Sequence, residues 1–137
     1  MFMKKIFING ILAGIILTII SYGGLYLSIR FFPFLFEEYN NPLFHSDGSR
    51  DVLFYSHTFI ISFALSWFWE NLKTIFRGNF LFRGIQFGCT YTLVGVVPIL
   101  WITFASMDVT LLMVGSWLLY AFIQSIIAGM FFAKRNP

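Results

Sequence analysis

Four long stretches of this chain carry no charged side chain, and they decide what it can fold into. They run from Ile6 to Ile29, Val52 to Trp69, Gly84 to Met107 and Val109 to Ala133, each between 18 and 25 residues long. About 20 apolar residues rising about 1.5 Å each cross a hydrocarbon core of roughly 30 Å, so all four can span a bilayer. The second is the shortest, and its helix is expected to continue past Glu70, which gives a span near 52–72. A transmembrane barrel would alternate polar and apolar residues along segments of about ten. The run from Gly10 to Ile20 does not alternate.

Composition narrows the class further. Of 137 residues, 58% are hydrophobic and 11% charged, against roughly 25% charged in soluble domains. A soluble enzyme and a disordered chain are excluded, and the single cysteine, Cys89, excludes an internal disulfide framework. The net charge of +3 is scattered between apolar runs rather than gathered on one face, so nucleic acid is not an expected partner. The sequence therefore predicts an all-α integral membrane protein. It is read as one domain over 1–137: a four-transmembrane-helix antiparallel bundle with spans near 6–29, 52–72, 84–107 and 109–133.

Lys4 and Lys5 precede the first run as they would in a secretory signal. A signal's apolar region covers only about 7–15 residues and ends at a small-residue cleavage site. This run is longer, and Ser21-Tyr22-Gly23-Gly24 is a poor site, so the segment is read as a retained signal-anchor helix. With four spans, both termini share a side with the loop between the second and third spans. That side carries Lys4, Lys5, Lys73, Arg77, Arg83, Lys134 and Arg135, against Arg30 and Arg50 on the other. Basic residues mark the cytoplasmic side, so both termini are expected in the cytoplasm, with the bacterial cytoplasmic membrane as the expected location.

The loop 30–51 then faces outward. Phe31, Phe32, Phe34, Leu35, Phe36, Leu43 and Phe44 are too apolar for free solvent, and Pro33 and Pro42 stop a regular helix. The expected arrangement is a chain in the headgroup zone, with a lid over an outward cavity as the alternative. Ser49 or Asp51, Asn79, and Ser106 or Asp108 are the candidate caps of the second, third and fourth spans. Short connections predict that spans two, three and four are sequential antiparallel neighbours.

Small and hydroxyl residues recur at four-residue spacing, which places them on one face of each helix. The first span has Gly10, Gly14 and Thr18, then Ser21; the second has Thr58, Ser62, Ser66 and Glu70. The third has Gly84, Gly88 and Thr92, then Gly95; the fourth has Trp117, Ala121, Ser125 and Gly129. Small residues let membrane helices approach closely, so Gly84, Gly88, Thr92, Ser125 and Gly129 are assigned to helix packing. The alternative is a polar pathway along the second span.

Five polar residues are candidates for function: His57, Ser62, Ser66, Glu70 and Gln124. An ionisable group in a span is a functional candidate by default. Glu70, however, sits at the inner end with Lys73, Arg77 and Arg83 available for an ion pair. His57 is expected to be a hydrogen-bonded structural residue; proton sensing is its alternative, because histidine titrates near physiological pH. Zinc needs three or four ligands, and His45, His57, Asp47 and Asp51 match no recognised spacing. Gln124 lies near mid-depth of the fourth span. Pro98 is expected to kink the third span and free the carbonyl of Val94.

There is no phosphate-binding loop, zinc-protease motif or nucleophile elbow. No catalytic, cofactor or metal site is assigned. The leading expectation is a small non-catalytic membrane protein, a subunit or modulator of a membrane partner, in contact with lipid and with that partner or with further copies of itself. The alternatives are an oligomeric transport or channel module using the polar seam of the second span, and a membrane-embedded enzyme for a lipid or amphipathic substrate. Topology is directly testable: Ser46→Cys should react with an impermeant thiol reagent from outside and Asn136→Cys should not. The reverse pattern would overturn the orientation.

Overall fold

The computed structural model describes residues 1–44 and 47–137, and every regular element among them is helical. His45, considered above as a ligand, and Ser46, the labelling position, lie outside the described residues. The elements are α1 (Phe2–Phe31), a 3-10 helix (Pro33–Asn40), α2 (Asp51–Leu72), α3 (Phe80–Tyr91), a π turn (Thr92–Val96), α4 (Val97–Ser106) and α5 (Leu111–Arg135). α3, the π turn and α4 run on as one span, Phe80–Ser106, so four helices are long and apolar enough to cross a membrane.

Helix ends differ from charge boundaries for a physical reason. Lys4, Lys5 and Arg30 all lie within α1, because Lys and Arg favour helix and end only the lipid-compatible stretch. α1 stops ahead of Pro33, which restricts the residue before it and opens the 3-10 helix. Asn79 caps α3 by accepting the Phe82 N–H at 2.9 Å. The other expected caps are displaced. Ser49 bonds Asp47 instead, and α2 begins after Arg50 with no side-chain cap. α5 starts later than the charge count implied, so Thr110 caps it through the Met113 N–H at 3.2 Å. Gly78 supplies the left-handed turn between α2 and α3, at φ +101°.

Pro98 is absorbed by the π turn. The Val97 N–H reaches back five residues to the Thr92 carbonyl, a wider loop that makes room where the proline removes a donor. Beyond this point α4 has no buried residue.

Packing falls into two tight pairs, α1 with α2 and α3 with α5. In the first, Ser62 donates to the Gly10 carbonyl at 2.8 Å, Ser66 to the Ile6 carbonyl at 3.0 Å, and Thr18 meets Thr58 at 2.6 Å. The residue numbers run in opposite order along the pair. In the second, Gly84 and Gly88 lie against the backbone of Met130 and Ile126, where a Cβ would come within 2.7 and 2.9 Å of their amide nitrogens. Gly129 faces Phe87 and Gly84 across the same contact. α2 and α3, adjacent in sequence, share no such backbone seam. They meet through rings: Phe68 and Trp69 pack on Phe87 at 5.6 and 5.4 Å between centroids. The expectation that spans two and three are close neighbours is corrected accordingly.

These contacts predict unequal tolerance. Gly88→Leu and Gly84→Leu drive a side chain into the α5 backbone and should destabilise by about 1–3 kcal/mol or more. Leu93→Ile, on a residue 71% exposed, should stay within about 0.5 kcal/mol. Unfolding in mixed micelles, read by circular dichroism, measures the difference.

Candidate functional site

Ser62 and Ser66 lie on the face of α2 that also carries Thr58, Leu65 and Trp69, all buried against neighbouring helices. Their hydroxyls bond across the contact to α1 carbonyls, and Ser62 also bonds the Phe59 carbonyl of its own helix. Gly10 and Gly14 permit this, since a Cβ at Gly14 would stand 2.9 Å from the Ser62 hydroxyl. The seam is therefore dense: each serine hydroxyl has a backbone acceptor, and the Phe63 and Phe59 rings cover Gly10 and Gly14.

The seam ends at the pole of the molecule where both termini lie. There Glu70 pairs with Lys73 at 3.4 Å and accepts a hydrogen bond from the Asn136 side-chain amide. Lys73 in turn donates to Asn136 Oδ1 at 3.1 Å. Of the three bases expected beside Glu70, the structure gives it Lys73 alone. The Arg83 guanidinium donates to the Lys73 carbonyl at 3.1 Å and lies over the Trp69 ring at 5.0 Å. Arg77 is fixed through its backbone, which exchanges two hydrogen bonds with the Gln86 side chain.

Trp69 organises this pole. It is 1% exposed, stacks on Phe76, meets Phe87 edge-on and packs against Phe132. Its indole N–H donates to the Asn136 carbonyl at 3.0 Å, tying α2 to the end of α5. Nearby, Arg135 donates to the buried Asn9 of α1 at 3.0 Å. Sequence reasoning missed Trp69, Asn136 and Asn9, because aromatic and polar residues near span ends are ordinary interface anchors. A signal existed for two of them. Trp69 continues the 62, 65, 66 face, and Asn9 lies on the face of Ile6, Gly10, Ala13 and Leu17.

Toward the other pole, Gln124 is fully buried and donates to the Ser21 hydroxyl at 3.0 Å, while its carbonyl oxygen has no donor among the described residues. Trp117 donates to the Tyr39 hydroxyl at 2.6 Å, and Thr110 donates to Glu38. These bonds dock the 3-10 helix onto α5. Thr92 and Ser125 face each other at 3.4 Å between α3 and α5.

His57 is exposed and makes no hydrogen bond to a described residue. It stands 13 residues from Glu70, about 20 Å along α2, so the two ionisable candidates do not share a site. Among the described residues, no three His, Cys, Asp or Glu side chains gather as a metal centre would need. Two surface grooves, one beside Phe7 and Phe63 and one beside Leu35 and Leu112, are lined mostly by apolar side chains and reach none of the candidates.

Since both seam serines bond backbone, Ser62→Ala and Ser66→Ala should each cost about 0.6 kcal/mol, with an upper bound near 1.7. Trp69→Ala should cost about 3–5 kcal/mol. Equilibrium unfolding in micelles checks the ranking. No protein-family model, curated protein or solved structure matches this chain.

Proposed function

We propose that the chain is a non-catalytic subunit or modulator of a membrane partner: a four-helix antiparallel bundle with both termini in the cytoplasm, seated in a bacterial cytoplasmic membrane. The observation that carries this reading is the fate of its polar groups. Ser62 and Ser66 are spent on α1 carbonyls, and Glu70 is held by Lys73 and Asn136. A conduit needs polar atoms left free to exchange with a passing solute, and an enzyme needs reactive groups that converge. Neither arrangement is found along this seam. The seven basic residues at the pole of the termini support the orientation, since that excess belongs on the cytoplasmic side.

One observation favours the transport alternative: the Gln124 carbonyl oxygen is buried without a donor among the described residues, and such groups call for a further partner. Reconstituted liposomes separate the two readings. A scaffold leaves proton and potassium flux at the level of protein-free vesicles, and Glu70→Gln changes only stability, by about 1–3 kcal/mol, because the pair is largely buried and Lys73 loses its counter-charge. A flux in the native protein that Glu70→Gln or Gln124→Leu abolishes would overturn the scaffold reading. Purification from native membranes in mild detergent should bring down a stoichiometric membrane protein.

A further inference from the structure

Lys4 and Arg30 stand 26 residues apart on α1, about 39 Å along its axis. A hydrocarbon core of roughly 30 Å fits between them and leaves both cations among the headgroups. The pole of Lys4 also holds Lys5, Arg77, Arg83, Lys134 and Arg135, and its one acidic side chain, Glu70, is taken by Lys73. Arg83 and Arg135 turn to neutral acceptors, the Lys73 carbonyl and Asn9. The Lys4 and Lys5 ammonium groups meet no partner among the described residues.

Beside Lys4 the surface is hollow. Met3, Ile6 and Phe7 of α1 and Phe63 of α2 line a groove of about 460 Å³ that Lys4 borders, within the roughly 300–1,000 Å³ of small-ligand sites. The serine seam builds it. Ser66 and Ser62 hold α1 at the Ile6 and Gly10 carbonyls, which sets the Phe63 ring against Gly10. Phe7 leans on that ring, 5.5 Å between centroids. The two rings lie toward mid-bilayer, and the exposed Met3 and Lys4 lie one turn of α1 nearer the pole. Lipid tails are the solvent around the spans, so the groove takes an acyl chain, and the head of that lipid comes to rest beside Lys4.

We propose that this groove is a binding site for one anionic phospholipid, its acyl chain along Ile6, Phe7 and Phe63 and its phosphate paired with the Lys4 ammonium. Lysine carries a point charge on a flexible stem that reaches to headgroup level. A zwitterionic head brings its own ammonium next to its phosphate, and an anionic head leaves that place to Lys4. Basic pockets between membrane helices take anionic heads in this way. At the opposite pole Arg30 and Arg50 stand among Glu37, Glu38, Asp47, Asp51 and Asp108, which repel such a lipid. The site requires membrane insertion and is independent of the subunit reading.

The test places the full chain in phosphatidylcholine vesicles and adds spin-labelled phosphatidylglycerol or spin-labelled phosphatidylcholine as the probe. Electron spin resonance reads the immobilised fraction of each. Phosphatidylglycerol should associate about fivefold more strongly, near the worth of one lysine at a charged surface, and salt should weaken the preference. Lys4→Gln should remove most of it, and Lys4→Arg should keep it. Met3→Trp, which fills the groove and leaves the charge, should also lower it. Lys134→Gln, an equal charge lost at the same pole, should leave most of it. An unchanged micelle unfolding curve certifies the fold of each variant. Equal association of the two lipids, equal losses from Lys4→Gln and Lys134→Gln, or indifference to Met3→Trp would overturn the proposal. Competition by glycerophosphoglycerol, the same head without chains, would overturn it as well. So would disulfide cross-linking of Phe7→Cys, in a Cys89→Ala background, to a second copy or to another membrane polypeptide. A lipid preference in a chain that conducts ions defeats the scaffold reading and spares the site.

Discussion

The two tightly packed helix pairs are joined at the indole of Trp69. Its ring fills the space between α2, α3 and α5 through Phe76, Phe87 and Phe132, and its N–H holds the end of α5 at Asn136. Lipid tails are as apolar as leucine, so no hydrophobic force drives helices together inside a bilayer. Large rings packed edge to face, and a hydrogen bond made where water is scarce, supply the attraction instead. The Glu70–Lys73–Asn136 group and the Arg83 guanidinium are arranged around that ring, so the charge pattern of this pole depends on it.

Within each pair, a different constraint operates. Gly84, Gly88 and Gly129 bring two backbones close enough that a methyl group would collide with main-chain atoms. In α1 and α2 the closeness is used for hydrogen bonding: Ser62 and Ser66 reach carbonyls of the facing helix because Gly10 and Gly14 leave the way open. A carbonyl already engaged in a helix has a second lone pair to offer, so the seam gains cohesion at no cost to the helix. The polarity that could have marked a pathway is consumed in packing.

The molecule is unevenly built along its length. Buried residues of α1 stop at Leu17, and α4 buries none beyond the π turn. Packing is concentrated toward the pole of the termini, while the opposite end is held by the 3-10 helix through Trp117, Tyr39, Thr110 and Glu38. An exposed His57 and a buried Gln124 with one open acceptor both lie in this looser part. Polar groups left unpaired in a bilayer mark the places where something else completes the structure.

Charge-free length alone determined that the chain has four membrane-compatible helices, since crossing about 30 Å of hydrocarbon demands it. The small-residue stripes were legible too, because Gly84, Gly88, Ser125 and Gly129 recur with the helical period. Partner choice was not. Nothing in a single helix says that α2 lies on α1 with its serines against carbonyls, or that it meets α3 through rings and the Arg83 guanidinium rather than a backbone seam. Lys73, one turn along the helix, and Arg77 and Arg83, in the same inner zone, were all candidate partners of Glu70, and the fold gave it Lys73 together with Asn136, 66 residues away. His57 could be placed on its helix by counting, but whether that side of the helix was covered depended on where α1, α3 and α4 came to rest. Periodicity is local and survives in the sequence; adjacency is set by which surfaces fit, and only the assembled helices decide that.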